Sequence, residues 1–150
     1  MPQSLSFLGG HIVFSTKNRA PVLTGDILPK LYAYVSVIMA KLGCRVILIG
    51  GTANHVHILA SLPRDNSPSK ILEEIKKSSS KWLKTQGAEF AQFHWQTGYG
   101  LFSVSSSNLS AVEKYIAKQE EHHKKMSFED EFRAILKKHN IEFDERYVWD

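Results

Sequence analysis

Apolar and polar residues along this chain follow two periods, and the switches between them mark out its elements. His11-Ile-Val-Phe-Ser15 is β-rich and follows Gly9-Gly10, which predicts a first strand, and a basic loop, Thr16-Lys17-Asn18-Arg19, comes after it. From Asp26, a residue suited to an N-cap, the apolar positions Leu28, Leu31, Val35, Ile38, Met39 and Leu42 recur at helical spacing. Pro29 is tolerated in the first turn and Gly43 is the stop. Arg45-Val-Ile-Leu-Ile49 is a β-branched run bounded by Gly50-Gly51, and a short turn later His55-Val-His-Ile-Leu-Ala60 reads as its hairpin partner. Ser67-Pro68 opens a second helix whose apolar stripe is Ile71, Leu72, Ile75, Trp82 and Leu83.

Residues 85–100 are glycine-punctuated and aromatic, a loop or short irregular strand, and lead into a fourth strand at Leu101-Phe-Ser-Val-Ser105. Ser110-Ala-Val-Glu113 reads as a capping box that opens a helix running to about His123. Ser127 caps a last helix carrying Phe128, Phe132, Ile135 and Leu136, and Ile141 to Asp150 forms an aromatic tail. The order β-α-β-β-α-β-α-α predicts an α+β fold, ferredoxin-like (split βαβ): an antiparallel sheet with both crossover helices on one face and an added C-terminal helix bearing Tyr115. The first and third strands are then central, the histidine strand faces the uncovered side, and the tyrosine helix can close over it.

Composition narrows the class without naming it. At 150 residues the simplest organisation is one domain, 1–150, with no repeat or linker. The single cysteine, Cys44, cannot pair within the chain and reads as a small buried hydrophobe, which fits a reducing compartment and a cytoplasmic location. No apolar run approaches the roughly 20 residues that cross a bilayer, so no membrane partner is expected. A net charge of +4 permits nucleic-acid binding without requiring it.

The candidate chemistry begins at His55 and His57. Along a strand they project from one face, about 6.6 Å apart at Cα, while Val56, Ile58 and Ala60 supply a core face. Two imidazoles so placed can converge on one metal ion, but two ligands do not make a site, and strand histidines are more often structural. Tyr115 and Gln119 stand four apart on a predicted helix and share a face with Val112 and Ile116. Tyr99, between Gly98 and Gly100, has no amide or imidazole following it at such a spacing and reads as a turn or packing residue. Lys70, Lys77, Lys81 and Lys84 fall in one sector of the second helix, which on its own reads as a solvated face.

Taken together, His55-Val-His57, the Tyr115-x-x-x-Gln119 helix, His11-Ile-Val-Phe-Ser-Thr-Lys17 and Trp95-Gln-Thr-Gly-Tyr-Gly-Leu-Phe-Ser-Val-Ser105 resemble the HUH-type single-tyrosine transposases of single-strand insertion sequences, which are related to REP-associated tyrosine transposases. The resemblance implies His55, His57 and Gln119 as ligands of a divalent metal ion, Mg2+ or Mn2+, and Tyr115 as the catalytic nucleophile. It implies single-stranded DNA with hairpin ends as the partner and a homodimer as the assembly. Lys17, Arg19, Lys77, Lys81 and Lys84 then acquire a reason as DNA-binding residues, and Phe93 or Trp95 as exposed aromatics that stack on unpaired bases. His122 and His123 are auxiliary candidates, the nearest in sequence to take the proton of Tyr115. Many family members carry an acidic residue where this chain has Asn54, a departure that bears on tuning of the first histidine.

Two other readings compete. A non-catalytic nucleic-acid-binding module on a ferredoxin-like fold explains the basic and aromatic residues but leaves the histidines, Tyr115 and Gln119 as coincidence. A small metal-dependent hydrolase using His55, His57 and His122 or His123 leaves no protein–DNA adduct.

Overall fold

The computed structural model describes residues 2–150. Four strands, β1 (Gly9–Ser15), β2 (Arg45–Thr52), β3 (His55–Ser61) and β4 (Gly100–Val104), form one antiparallel sheet in the order β2-β3-β1-β4. Five α-helices accompany it: α1 (Ile27–Lys41), α2 (Pro68–Leu83), α3 (Leu109–Ala117), α4 (Gln119–His122) and α5 (Phe128–Lys138). The expected ferredoxin-like α+β architecture is present, with β1 and β3 central.

Strand alternation sends Ile12, Phe14, Val56, Ile58 and Ala60 to one face, where Leu31, Val35 and Met39 of α1 and Ile71, Leu72, Ile75 and Leu83 of α2 complete the largest apolar cluster. Cys44 is buried in it, as its neighbours predict. Ser67 caps α2 by accepting from the Lys70 amide, and Gly43 ends the α1 turn at φ 87°, a conformation open to glycine.

The opposite face is covered as well. Leu59, Val104 and Ile116 form a second cluster beneath α3, and Val13, Phe102, Phe128, Phe132 and Leu136 a third beneath α5, with Val148 and Trp149 of the tail packed on it. A register shift between Val46 and Leu48 sends two consecutive residues of β2, Ile47 and Leu48, toward α3. Gly50 admits the same helix: a Cβ there would stand 2.7 Å from the Ile116 carbonyl oxygen.

Three expectations need correction. The capping box at Ser110 is absent, because a 3-10 turn over Ser106–Asn108 runs directly into α3, Asn108 is the N-cap, and Ser110 already lies within the helix. The predicted single helix to His123 breaks at Lys118 (φ −101°, ψ 17°), giving α3 and the four-residue α4. Phe93 and Trp95 are not exposed: both are buried, Trp95 against Phe14 and Phe93 against Trp95, and Trp95 donates to Ser79 Oγ, so they anchor the 88–98 segment and cannot stack on bases.

Candidate active site

The side chains of the candidate site meet between the sheet and the helices α3, α4 and α5 that cover this face. His55 and His57 project there from β3 and are fully buried, and His11 joins them from β1, two residues from Val13 and so on the same face. The turn at Lys118 does not separate Tyr115 from Gln119, because the Lys118 amide still donates to the Tyr115 carbonyl across it. Both side chains meet Glu131, a buried carboxylate on α5. Tyr115 donates its phenolic hydrogen to Glu131 Oε2, and Gln119 Nε2 donates to the same oxygen at 2.9 Å.

The other carboxylate oxygen faces the histidines. Glu131 Oε1 lies 3.0 Å from His57 Nε2, 3.0 Å from His123 Nε2 and 3.5 Å from His55 Nε2. Gln119 Oε1 lies 3.0 Å from His55 Nε2. One donor atom each from His55, His57, His123 and Glu131 fall within 4.8 Å of one another. Donor atoms that share an ion at about 2.1 Å stand about 3.0 to 3.4 Å apart in octahedral or tetrahedral geometry, so these spacings match the edges of a coordination shell.

The outward ring nitrogens fix how the histidines present themselves. His55 Nδ1 lies 2.8 Å from Asn54 Oδ1, an oxygen that only accepts, so Nδ1 carries the hydrogen and Nε2 turns a lone pair inward. Asn54 thus orients the His55 ring. His57 Nδ1 is 2.8 Å from His11 Nε2, a second imidazole behind the first.

Burial dominates the electrostatics. It lowers His55 and His11 from 6.5 to about 3, with the neighbouring His57 adding to the effect, so both rings are neutral at physiological pH. Burial raises the Tyr115 phenol, and the hydrogen bond to Glu131 raises it further. Burial alone would raise Glu131, but hydrogen bonds to His123, His57 and Tyr115 outweigh it and hold the carboxylate well below its ordinary range. A cavity of about 480 Å³ opens beside Tyr115 and Glu131, walled by His11, Phe102, Val112 and Ile135.

The profile of the family described as IS200-like transposases matches residues 5–119, which contain both strand histidines, Tyr115 and Gln119. The chain belongs to that family. This transposase is 24% identical over 114 residues to the ISDra2 transposase TnpA of Deinococcus radiodurans, covering 73% of this chain and 81% of that protein. Its fold is that of a transposase candidate from D. radiodurans R1 (TM-score 0.62, 18% identity, 79% of this chain and 98% of the other). It also matches the REP-associated tyrosine transposase bound to a REP hairpin (TM-score 0.58, 15% identity, 79% and 72%).

The remaining expected residues fall into different places. His123 reaches Glu131 Oε1, and His122 Nε2 stands 3.6 Å from Oε2 with its ring 5.4 Å from that of Tyr115. Lys77, Lys81 and Lys84 are exposed on α2, which packs on the sheet face opposite the histidines. Lys17 is exposed, whereas Arg19 donates to the Trp149 carbonyl at 2.7 Å and lies over its ring, so it braces the C-terminal tail. Tyr99 stands exposed beside Lys76 and joins none of the site's hydrogen bonds. No helix among the described residues is long and apolar enough to cross a membrane.

Sequence reasoning missed Glu131 and His11. Glu131 was detectable as a carboxylate three residues after Phe128 and four before Ile135, inside the apolar stripe of α5. His11 was detectable as the polar member of the same strand face as Val13.

Proposed function

We propose that this transposase cleaves and rejoins single-stranded DNA at insertion-sequence ends through a covalent 5′-phosphotyrosine on Tyr115, with a divalent metal ion, Mg2+ or Mn2+, held by His55, His57 and Gln119. The observation that carries the reading is the meeting of Tyr115, Gln119 and the paired histidines around a single buried carboxylate. The donor set fits a divalent cation: neutral imidazole nitrogen and amide oxygen leave the ion most of its charge. When bound, the ion supplies polarisation of a non-bridging phosphate oxygen.

The chain's own residues carry the rest of the chemistry. Tyr115 lines an open cavity, where its oxygen can reach a phosphodiester, and its hydrogen bond to Glu131 fixes the direction of the phenol. Attack by the phenolic oxygen forms the phosphotyrosine bond and breaks the bond from phosphorus to the 3′ oxygen, which leaves as a hydroxyl. No bond energy is lost to water, so a 3′ hydroxyl can later attack the phosphotyrosine, restore the phosphodiester and return the phenol.

Hairpin-ended single strands are the substrate in this reading, in keeping with the hairpin bound by the REP-associated neighbour. Lys17 and the lysines of α2 neutralise phosphates away from the cleavage point, and residues 1–150 act as one catalytic domain. A homodimer remains the expected assembly. Within one chain Tyr115 already lies beside that chain's own histidines, an arrangement that supports cleavage in cis. The reading is tested by incubating the protein with Mn2+ and single strands from the ends of its own element. A denaturation-resistant adduct that chelator abolishes is the expected product. The placement of His123 in the donor cluster favours the metal-dependent hydrolase as the second reading, and cut DNA without an adduct would select it.

A further inference from the structure

Residues 120–150 lie beyond the segment that matches the family, yet two of their side chains reach into the candidate metal centre. We propose that Glu131, through Oε1, and His123, through Nε2, are additional ligands of the same divalent cation, so that the C-terminal extension completes a five-donor site with His55, His57 and Gln119. The inference rests on the proposed role of those three residues in holding the ion.

Three observations support it. The first is spacing: Glu131 Oε1 is 3.0 Å from His57 Nε2 and from His123 Nε2 and 3.5 Å from His55 Nε2, separations proper to donors that share one ion. The second is the orientation of His123. Its Nδ1 lies 2.7 Å from the Met126 carbonyl oxygen, which only accepts, so Nδ1 carries a hydrogen and Nε2 is the ring atom turned toward Glu131 Oε1. His55 is arranged in the same way through Asn54. An outward N–H on a carbonyl, with the other ring nitrogen turned inward, is how a metal-binding histidine is held.

The third is charge. Glu131 is 1% exposed, and its partners are imidazoles, a phenol and an amide, with no lysine or arginine pair among the described residues. A buried carboxylate ringed by imidazole nitrogens, with no cationic side chain paired to it, calls for a cation among those donors. Its second oxygen accepts from Tyr115 and Gln119, so the same carboxylate ties the nucleophile to the donor set.

The test is Mn2+ titration calorimetry on the full chain, paired with the rise in Tm that saturating Mn2+ produces. Glu131→Gln and His123→Ala are each expected to weaken Mn2+ binding by at least about tenfold and to shrink the metal-induced rise in Tm. A purely structural role would lower the metal-free Tm and leave that rise unchanged. If Glu131→Gln fails to fold, Glu131→Asp, which keeps the charge and retracts the oxygen, takes its place. Wild-type affinity in both variants, alongside loss of binding in His55→Ala, overturns this inference and leaves the proposed function standing. Weakening in only one variant removes the other residue from the ligand set and overturns the five-donor site. A wild-type protein that binds no Mn2+ overturns both the inference and the reading beneath it.

Discussion

The two faces of the sheet are built from the same strands by the same alternation, yet they do different work. On the face under α1 and α2, Ile12, Phe14, Val56, Ile58 and Ala60 meet leucine, isoleucine and valine, and burial keeps the Cys44 thiol in that cluster and the Tyr32 phenol packed against it protonated. On the face under α3 and α5, the neighbouring residues His55 and His57 are equally buried, but their contacts are a phenol, an amide, a carboxylate and other imidazoles. The first face gains stability from area removed from water. The second withdraws polar groups from water and recovers the loss through hydrogen bonds, an arrangement that is retained where chemistry needs it. On the proposed function, one residue step along β3 separates a position whose loss is expected to affect folding from one whose loss is expected to affect catalysis.

The largest expected effect lies on the histidine face. Tyr115→Phe keeps the ring and removes the attacking oxygen, so adduct formation is expected to fall by about 10⁴-fold or more while the metal-free Tm changes little. A residual adduct in that variant, lost instead in Tyr99→Phe, would move the nucleophile. Next comes the matched pair on β3. Ile58→Ala, fully buried on the apolar face, is expected to cost about 2–5 kcal/mol in urea unfolding with unchanged adduct yield per folded molecule. His57→Ala is expected to abolish divalent-metal dependence. If both variants lost stability and activity in equal proportion, the division between the faces would fail.

A smaller effect separates the faces by pH. His11 and His55 sit at about 3 in the folded chain against an ordinary 6.5, so the folded state binds fewer protons than the unfolded one. Their contribution is complete above about 6.5 and declines as the pH falls toward about 3, at up to about 1.4 kcal/mol per pH unit for each ring. Unfolding in chelator at pH 7 and pH 5 is therefore expected to show lower stability at pH 5, and a His11→Phe variant a shallower slope. Equal stability at the two values would contradict the neutral, buried state of these rings. The smallest effect belongs to the exposed side of α2. Replacing Lys77, Lys81 and Lys84 with glutamine is expected to lower the salt dependence of single-strand binding, by about 0.7 in the log–log slope for each phosphate that is no longer neutralised, without altering the metal requirement.

Most of the frame was readable from the residues themselves. The stripes of α1 and α2 and the alternation of β1 and β3 identify the sheet, its covered face and the central place of the histidine strand, because periodicity reports burial directly. The i,i+4 relation of Tyr115 and Gln119 also survives in space. What could not be read depends on residues distant in sequence. Glu131 lies 74 residues from His57 and meets it only when α5 folds back over the sheet, so nothing local marks it except a charge in an apolar stripe. The burial of Phe93 and Trp95 follows from their T-shaped packing, Trp95 on Phe14 and Phe93 on Trp95, in a segment with no periodicity to report it. The break at Lys118 likewise carries no helix-breaking residue to announce it.

The most direct measurement is peptide mapping by mass spectrometry of the covalent adduct formed with single-stranded DNA and Mn2+. A nucleotide attached through phosphate to Tyr115, absent when chelator is present and absent in His57→Ala, is the predicted result. A phosphate linked to any other residue, or cleaved DNA with no linkage to the protein, would contradict the account.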